Sequence, residues 1–227
     1  DFVPNHWSHL HATFQHAIHN PDSAFRDWYI FKHWPDDYES FFGVKELPQV
    51  NLRNPAARQS MLDAAAYWLD FGIDGYRVDY ALGPTPDFWA EFRRVTRTVK
   101  PDCWTFGEVV EPSEAQRNFE GGLDGCLDFI LLEGLRRAFA FNEWSGNQLA
   151  DFLLRHESYF PAAFSRPSFL DNHDMNRFLW AARGNKRKLR LAALCQFTLA
   201  GAPIVYYGTE VGLSQLRDVR QGSFGLP

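Results

Sequence analysis

Along the chain, short apolar runs that mostly end in a polar or small residue alternate with amphipathic stretches, a pattern few folds accommodate. Strand-like segments fall over 73–79, 103–109, 125–131, 168–174 and 202–208, with helical periodicity over 55–71, 86–99, about 132–156 and 185–199 between them. Such alternation predicts repeated β/α units around a parallel sheet. The helix signals are specific. Asn54 and Pro55 supply a cap and a first-turn proline, Met61, Leu62, Ala65, Trp68 and Leu69 recur at helical spacing, and Gly72 ends the run. Residues 7–52, rich in Trp, Phe, Pro and Asp, fit no regular unit and are expected to form an excursion between a strand and its helix.

Composition narrows the partners. The 227 residues are 45% hydrophobic, enough to bury the core of one large domain, and include 8 Trp and 21 Phe. Aromatic faces stack on sugars as well as on each other, so this excess is compatible with a carbohydrate site. A net charge of −5 and a pI near 5.9 argue against nucleic acid as a partner. The basic run of Arg183, Lys186, Arg187, Lys188 and Arg190 is expected to be a solvated helix face. No apolar stretch approaches the ~18 residues of a membrane span, so no membrane partner is expected. Cys103, Cys126 and Cys195 are odd in number and widely spaced, which favours reduced thiols and a cytoplasmic compartment. The chain opens at Asp1 inside a strand-like DFVPNH, so the true N-terminus is expected to lie upstream. The oligomeric state is left open.

The opening stretch also crowds His6, His9, His11, His16 and His19 together. Asp1 with His6, His9 and His11 could ligate zinc, but HWSHLH lacks the Glu that accompanies paired histidines on a metal-binding helix. The competing expectation is a histidine-rich helix start.

In a barrel of parallel β/α units the chemistry gathers at the carboxyl ends of the strands, and three acids sit there. GYRVD places Arg77 and Asp79 two apart, hence on one face of a strand, where the guanidinium keeps the carboxylate ionised as a nucleophile requires. WTFGEV sets Glu108 after the apolar Trp104 and Phe106, a setting that raises a carboxyl's pKa and suits a general acid. FLDNHD supplies Asp174 beside His173. Any one of these would ordinarily be a loop salt bridge or a cap. Three on separate strands suggest carboxyl-pair glycoside hydrolysis, with a further acid stabilising positive charge.

DFVPNH (1–6), GYRVDYA (75–81), FGEVV (106–110) and FLDNHD (169–174) resemble, in order and spacing, the four core motifs of glycoside hydrolase family 13, the alpha-amylase family. LPQVN (47–51) resembles its additional motif near the end of the inserted domain B, and GAPIVYYGTEVG (201–212) the motif of its eighth barrel strand. The resemblance implies a partial (β/α)8 TIM barrel over 1–227, from the end of strand three through strand eight, with residues 7–52 as a short domain B. It further implies Asp79 as nucleophile, Glu108 as general acid/base, Asp174 as transition-state stabiliser, Arg77 orienting the nucleophile, and His6 and His173 binding sugar hydroxyls. No cofactor is required. Asn5 matches the position that holds a structural calcium in calcium-binding members, whereas the Lys-His pair many amylases carry after the nucleophile is replaced by Leu82 and Gly83.

The expected activity is retaining cleavage of alpha-1,4 bonds, with alpha-1,6 as an alternative, in maltooligosaccharides, cyclodextrins or related glucans. A transglycosylase of trehalose-synthase type and a non-catalytic binding subunit are the alternatives, along with an unrelated metalloenzyme built on the histidines. Trp28, Trp34, Tyr38 and Phe42 in the excursion could be stacking platforms or its small core. Tyr206, Tyr207 and Glu210 could line a cleft or close the barrel.

Overall fold

The computed structural model describes residues 1–219, which divide into two compact units: Asp1–Val109 with Phe119–Asp124, and Val110–Asn118 with the residues from Gly125 onward.

The first unit is built on two parallel strands. β3 (Gly75–Val78) pairs β4 (Trp104–Gly107) in the register Gly75↔Trp104 to Val78↔Gly107. On the other side of β3 the first residues run parallel to it, Phe2 N–H donating to Arg77 O and Asp79 N–H to Phe2 O, both at 2.8 Å. Between the strands lie α2 (Pro55–Phe71) and α3 (Pro86–Val99). As the sequence predicts, Asn54 Oδ1 caps α2 by accepting from Ala56 and Ala57, and Gly72 ends it in the left-handed region at φ 118°. Met61, Leu62, Ala65 and Leu69 are buried; Trp68, assigned to the same stripe, is half exposed. Arg58 of α2 ties the helices together through Asp87 and Glu91, each at 2.7 Å.

The excursion has more regular structure than its sequence suggests. α1 (Ala12–His19) buries Phe14 against Tyr29, Phe31 and Tyr38, the last two being partners across the hairpin of β1 (Phe31–His33) and β2 (Asp37–Tyr38). This aromatic cluster is the excursion's own core.

In the second unit, β5 (Gly125–Cys126) lies beside Ser165, and β6 (Ser168–Phe169) pairs β7 (Pro203–Ile204) in parallel. The helices are α4 (Ser113–Arg117), α5 (Phe129–Leu135) continuing into a wide turn over Arg136–Ala140, α6 (Gly146–Tyr159), α7 (Phe178–Ala181) and α8 (Lys186–Thr198). Leu131, Leu135, Leu170, Phe178, Leu179 and Leu189 form one core cluster there. α6 begins with the reciprocal capping box of Ser145 and Gln148.

Three strands expected from sequence are corrected here, and the one at 168–174 is strand only over Ser168–Phe169. The run at 125–131 is strand only over Gly125–Cys126, because Asp128 Oδ1 accepts from Leu131 N at 2.9 Å and starts a helix over FILLEGL. At 202–208 only Pro203 and Ile204 pair; the chain turns at Tyr206, whose carbonyl accepts from Thr209 N, with Gly208 at φ 83°. Of the basic run, Lys186, Arg187, Lys188 and Arg190 lie at the start of α8, where Lys188 Nζ reaches Ala140 O at 2.8 Å, and Arg183 precedes the helix at φ 52°.

Candidate active site

β3 and β4 run side by side, so their carboxyl ends deliver Asp79 and Glu108 together, and Arg77 joins them. Its Nη1 lies 2.7 Å from Asp79 Oδ1 and its Nη2 3.0 Å from Glu108 Oε1; Nη1 also approaches Asp1 Oδ2 at 3.4 Å. All three principal side chains are largely shielded, at 13% exposure for Arg77, 22% for Asp79 and 15% for Glu108, so these contacts are far stronger than surface pairs. Glu108 therefore sits against a guanidinium rather than in the purely apolar setting its sequence neighbours suggest. Trp104 and Phe106 meet as tilted rings at 4.6 Å, and Trp104 is 37% exposed. The Tyr80 backbone N–H donates to Glu108 Oε2 at 3.4 Å, so the residue after Asp79 contacts the second acid.

His6 is buried, its ring stacked on Phe41 at 4.2 Å, and Asn5 Nδ2 meets its Nδ1 at 3.3 Å. Burial lowers its pKa, with the Asp79 charge pulling in the opposite direction, so a neutral imidazole faces the carboxylate. The other histidines have separate partners: His9 Nδ1 with Glu46 O, His11 Nδ1 with Thr13 Oγ1 at 2.7 Å, His16 Nδ1 with Ser23 Oγ at 2.6 Å, and His19 Nδ1 with Gln15 O. Among the described residues no three His, Cys, Asp or Glu side chains gather as a metal site.

Asn5, the position matched to calcium, is buried and closely packed. A Cβ on Gly83 would fall 2.0 Å from Asn5 Oδ1, so the oxygen the ion would need is packed against the Gly83 backbone. Where a Lys-His pair would stand, Gly83 instead makes room for Asn5.

Asp174 and His173 belong to the second unit, where both are more than half exposed and pair with each other at 3.0 Å. Their loop is held from behind by residues that sequence reasoning missed. Buried Asp171 accepts from the Phe178 backbone N–H and from Thr209 Oγ1. Arg177 donates to Tyr207 O at 2.8 Å, lies over the rings of Tyr206 and Tyr207, and takes the Gln215 side-chain oxygen on its own N–H. Asp171 and Arg177 flank Asp174 by three residues on either side, which was the available signal. In a sequence they look like ordinary polar residues after a strand.

Of the four excursion aromatics, three are held in local packing: Trp28 against Trp7 and Phe25, Tyr38 in the Phe14 cluster, and Trp34 through Nε1 to Ala17 O. Phe42 is 78% exposed.

Parallel β/α units with carboxylates at the strand ends define the class, a catalytic domain of the (β/α)8-barrel type. The chain belongs to the alpha-amylase family, whose catalytic domain matches residues 1–223. It is 43% identical over 224 residues to alpha-amylase 2 of Dictyoglomus thermophilum, covering 98% of this chain and 39% of that protein. It is 32% identical to a cyclomaltodextrinase of Geobacillus thermopakistaniensis, over 96% of this chain and 39% of that one. Among solved structures, the ligand-free cyclic alpha-maltosyl-(1→6)-maltose hydrolase of Arthrobacter globiformis matches 93% of the chain and 51% of its own, at a TM-score of 0.89 and 30% identity. The chain thus spans about two fifths of the length of these curated relatives.

Proposed function

We propose that this chain carries the catalytic centre of a retaining glycoside hydrolase that cleaves alpha-glucosidic bonds, alpha-1,4 with alpha-1,6 as the alternative, in maltooligosaccharides or cyclodextrins. The observation that supports it most is the single Arg77 fork gripping both Asp79 and Glu108. Two carboxyls on one guanidinium are brought to one place, and retaining chemistry uses such a pair at a spacing of about 5–5.5 Å. Asp79, held by Arg77, attacks the anomeric carbon while Glu108 protonates the departing oxygen. Glu108 then takes a proton from water, which releases the sugar from Asp79. Arg77 orients Asp79. The family resemblance assigns transition-state stabilisation to Asp174 and sugar-hydroxyl binding to His6 and His173.

The relatives named above as an amylase, a cyclomaltodextrinase and a cyclic maltosyl-maltose hydrolase support glucan oligosaccharides as the substrate class. Cys103, Cys126 and Cys195 form no disulfide, and we take the setting to be cytoplasmic. No described helix is long and apolar enough to cross a membrane.

In the full-length protein, Asp79→Asn and Glu108→Gln should each lower maltotriose turnover by roughly a thousandfold or more while the thermal transition persists. Near-normal turnover in either variant contradicts the assignment. The chemistry draws on no bound metal, and the packing of Asn5 on Gly83 leads us to expect that activity survives EDTA. Loss restored by calcium alone would reverse that expectation.

A further inference from the structure

The side chains of His173 and Asp174 do not fix their own loop: both are more than half exposed and touch each other at 3.0 Å. A carboxylate that is to stand at a defined place must then be placed by its backbone. Within the loop, Asp174 N–H donates to Asn172 Oδ1 at 2.9 Å, which shapes the turn without anchoring it. Asp171 and Arg177 tie the flanks of the loop to α7 and to the turn after β7. Arg136, at the start of the wide turn Arg136–Ala140, does something different. Its Nη2 donates to Asn176 O at 2.6 Å and to Leu170 O at 3.4 Å. One carbonyl lies just before Asp171 and the other two residues after Asp174, so a single group joins the two ends of the loop.

The energetics of this arrangement point to a role beyond the fold. Arg136 is half-buried, and burial pushes its pKa down against the pull of the Asp171 and Glu133 charges. Its buried Nε meets no hydrogen-bond partner among the described residues. An enclosed guanidinium with an unpaired nitrogen is a poor means of stabilising a helix end, where an apolar side chain of similar volume often does as well or better. The neighbouring Arg137 shows the ordinary alternative, pairing with Glu133 on the outside at 2.7 Å. Wide turns of this π type are frequent at functional sites. This one is braced at its far end by Lys188 Nζ on Ala140 O at 2.8 Å, so Arg136 grips the loop from a fixed support.

We propose that Arg136 is a positioning residue for the reaction: by joining the carbonyls of Leu170 and Asn176 it sets the span of the loop over 171–175, and thereby where the Asp174 carboxylate stands as positive charge develops on the sugar. The proposal rests on the reading of Asp174 as the acid that meets this charge. Its test is a double-mutant cycle in the full-length protein. The kcat on maltotriose is measured for wild type, Arg136→Met, Asp174→Asn and the double variant, at enzyme concentrations that keep slow variants measurable. Arg136→Met keeps much of the bulk and loses both donors; it should lower kcat roughly tenfold or more, the scale of effect expected when a reacting group is displaced by about 1 Å. In the Asp174→Asn background the same substitution should lower kcat by less than about twofold, since no carboxylate is left to place. An Arg136 that serves the fold alone lowers kcat by the same factor in both backgrounds. That result, or an unchanged kcat in Arg136→Met, overturns the proposal. Near-wild-type kcat in Asp174→Asn overturns instead the reading of Asp174 beneath it. Should Arg136→Met not fold, Arg136→Lys, a shorter cation without the planar fork, goes through the same cycle. A loss that vanishes without Asp174 is again expected, and an equal loss in both backgrounds, or none, overturns the proposal.

Discussion

Arg77 carries more of the site than any other single residue. Its planar fork places one nitrogen on each carboxylate, which the point charge of a lysine cannot do. Arg77→Lys should therefore lower kcat by roughly tenfold or more with little change in KM; a variant with wild-type kcat would show that the fork is dispensable. His6 gives a prediction with a definite sign. Its folded pKa lies below the ordinary 6.5, chiefly through burial and against the pull of Asp79. The unfolded chain therefore takes up the proton first as pH falls. The stability linked to a neutral His6 is complete above about pH 6.5 and is lost as pH drops from there through the folded value. His6→Gln should flatten the decline in unfolding temperature between pH 7 and 5, measured by calorimetry; an unchanged profile would place the sensitivity elsewhere.

At the scale of elements, the close approach of β3 to β4 has an identifiable weak point. A Cβ on Gly75 would sit 1.8 Å from Trp104 O, a backbone atom that cannot swing aside. Gly75→Ala should cost about 3 kcal/mol or more in denaturant unfolding, and an unperturbed midpoint would mean that the strands can part without loss. Asp124 pins the far end of β4. Burial pushes its carboxyl up, but hydrogen bonds from Arg93, the Thr105 backbone and Arg97 outweigh this and hold it below the ordinary 3.8. Its contribution is present above pH 3.8 and lost in more acid solution, and Asp124→Asn should cost about 2 kcal/mol at neutral pH.

Elements with punctuation at both ends were the most legible in the sequence. α2 has Asn54, Pro55 and Gly72, and α3 starts at Pro86; both occupy the residues expected. Phe129–Leu131 are helix where a strand is expected, because an apolar run has no period to separate strand from buried helix, and the deciding contact is the Asp128 cap. Arg77 and Asp79 were legible as a pair because they share one strand face. The contact of Arg77 with Glu108 was not, since it depends on the parallel register of two strands 29 residues apart at Arg77↔Phe106, counted by their positions in the chain. The left-handed backbone of Phe42 and Tyr80 lies beyond sequence reasoning, which expects glycine or asparagine there.

For the whole molecule, the family is established across residues 1–223, while the activity is a matter for the full-length protein, of whose curated relatives this chain spans about two fifths. The reading as a hydrolase stands or falls on two carboxyls acting in sequence at one carbon. Double displacement inverts the anomeric carbon twice, so the freshly released sugar must keep its original configuration. Proton NMR of the full-length protein digesting maltotriose, recorded before mutarotation, observes this directly. An alpha signal at the newly formed reducing end is the expected result, whereas an initial beta signal would contradict the roles assigned to Asp79 and Glu108.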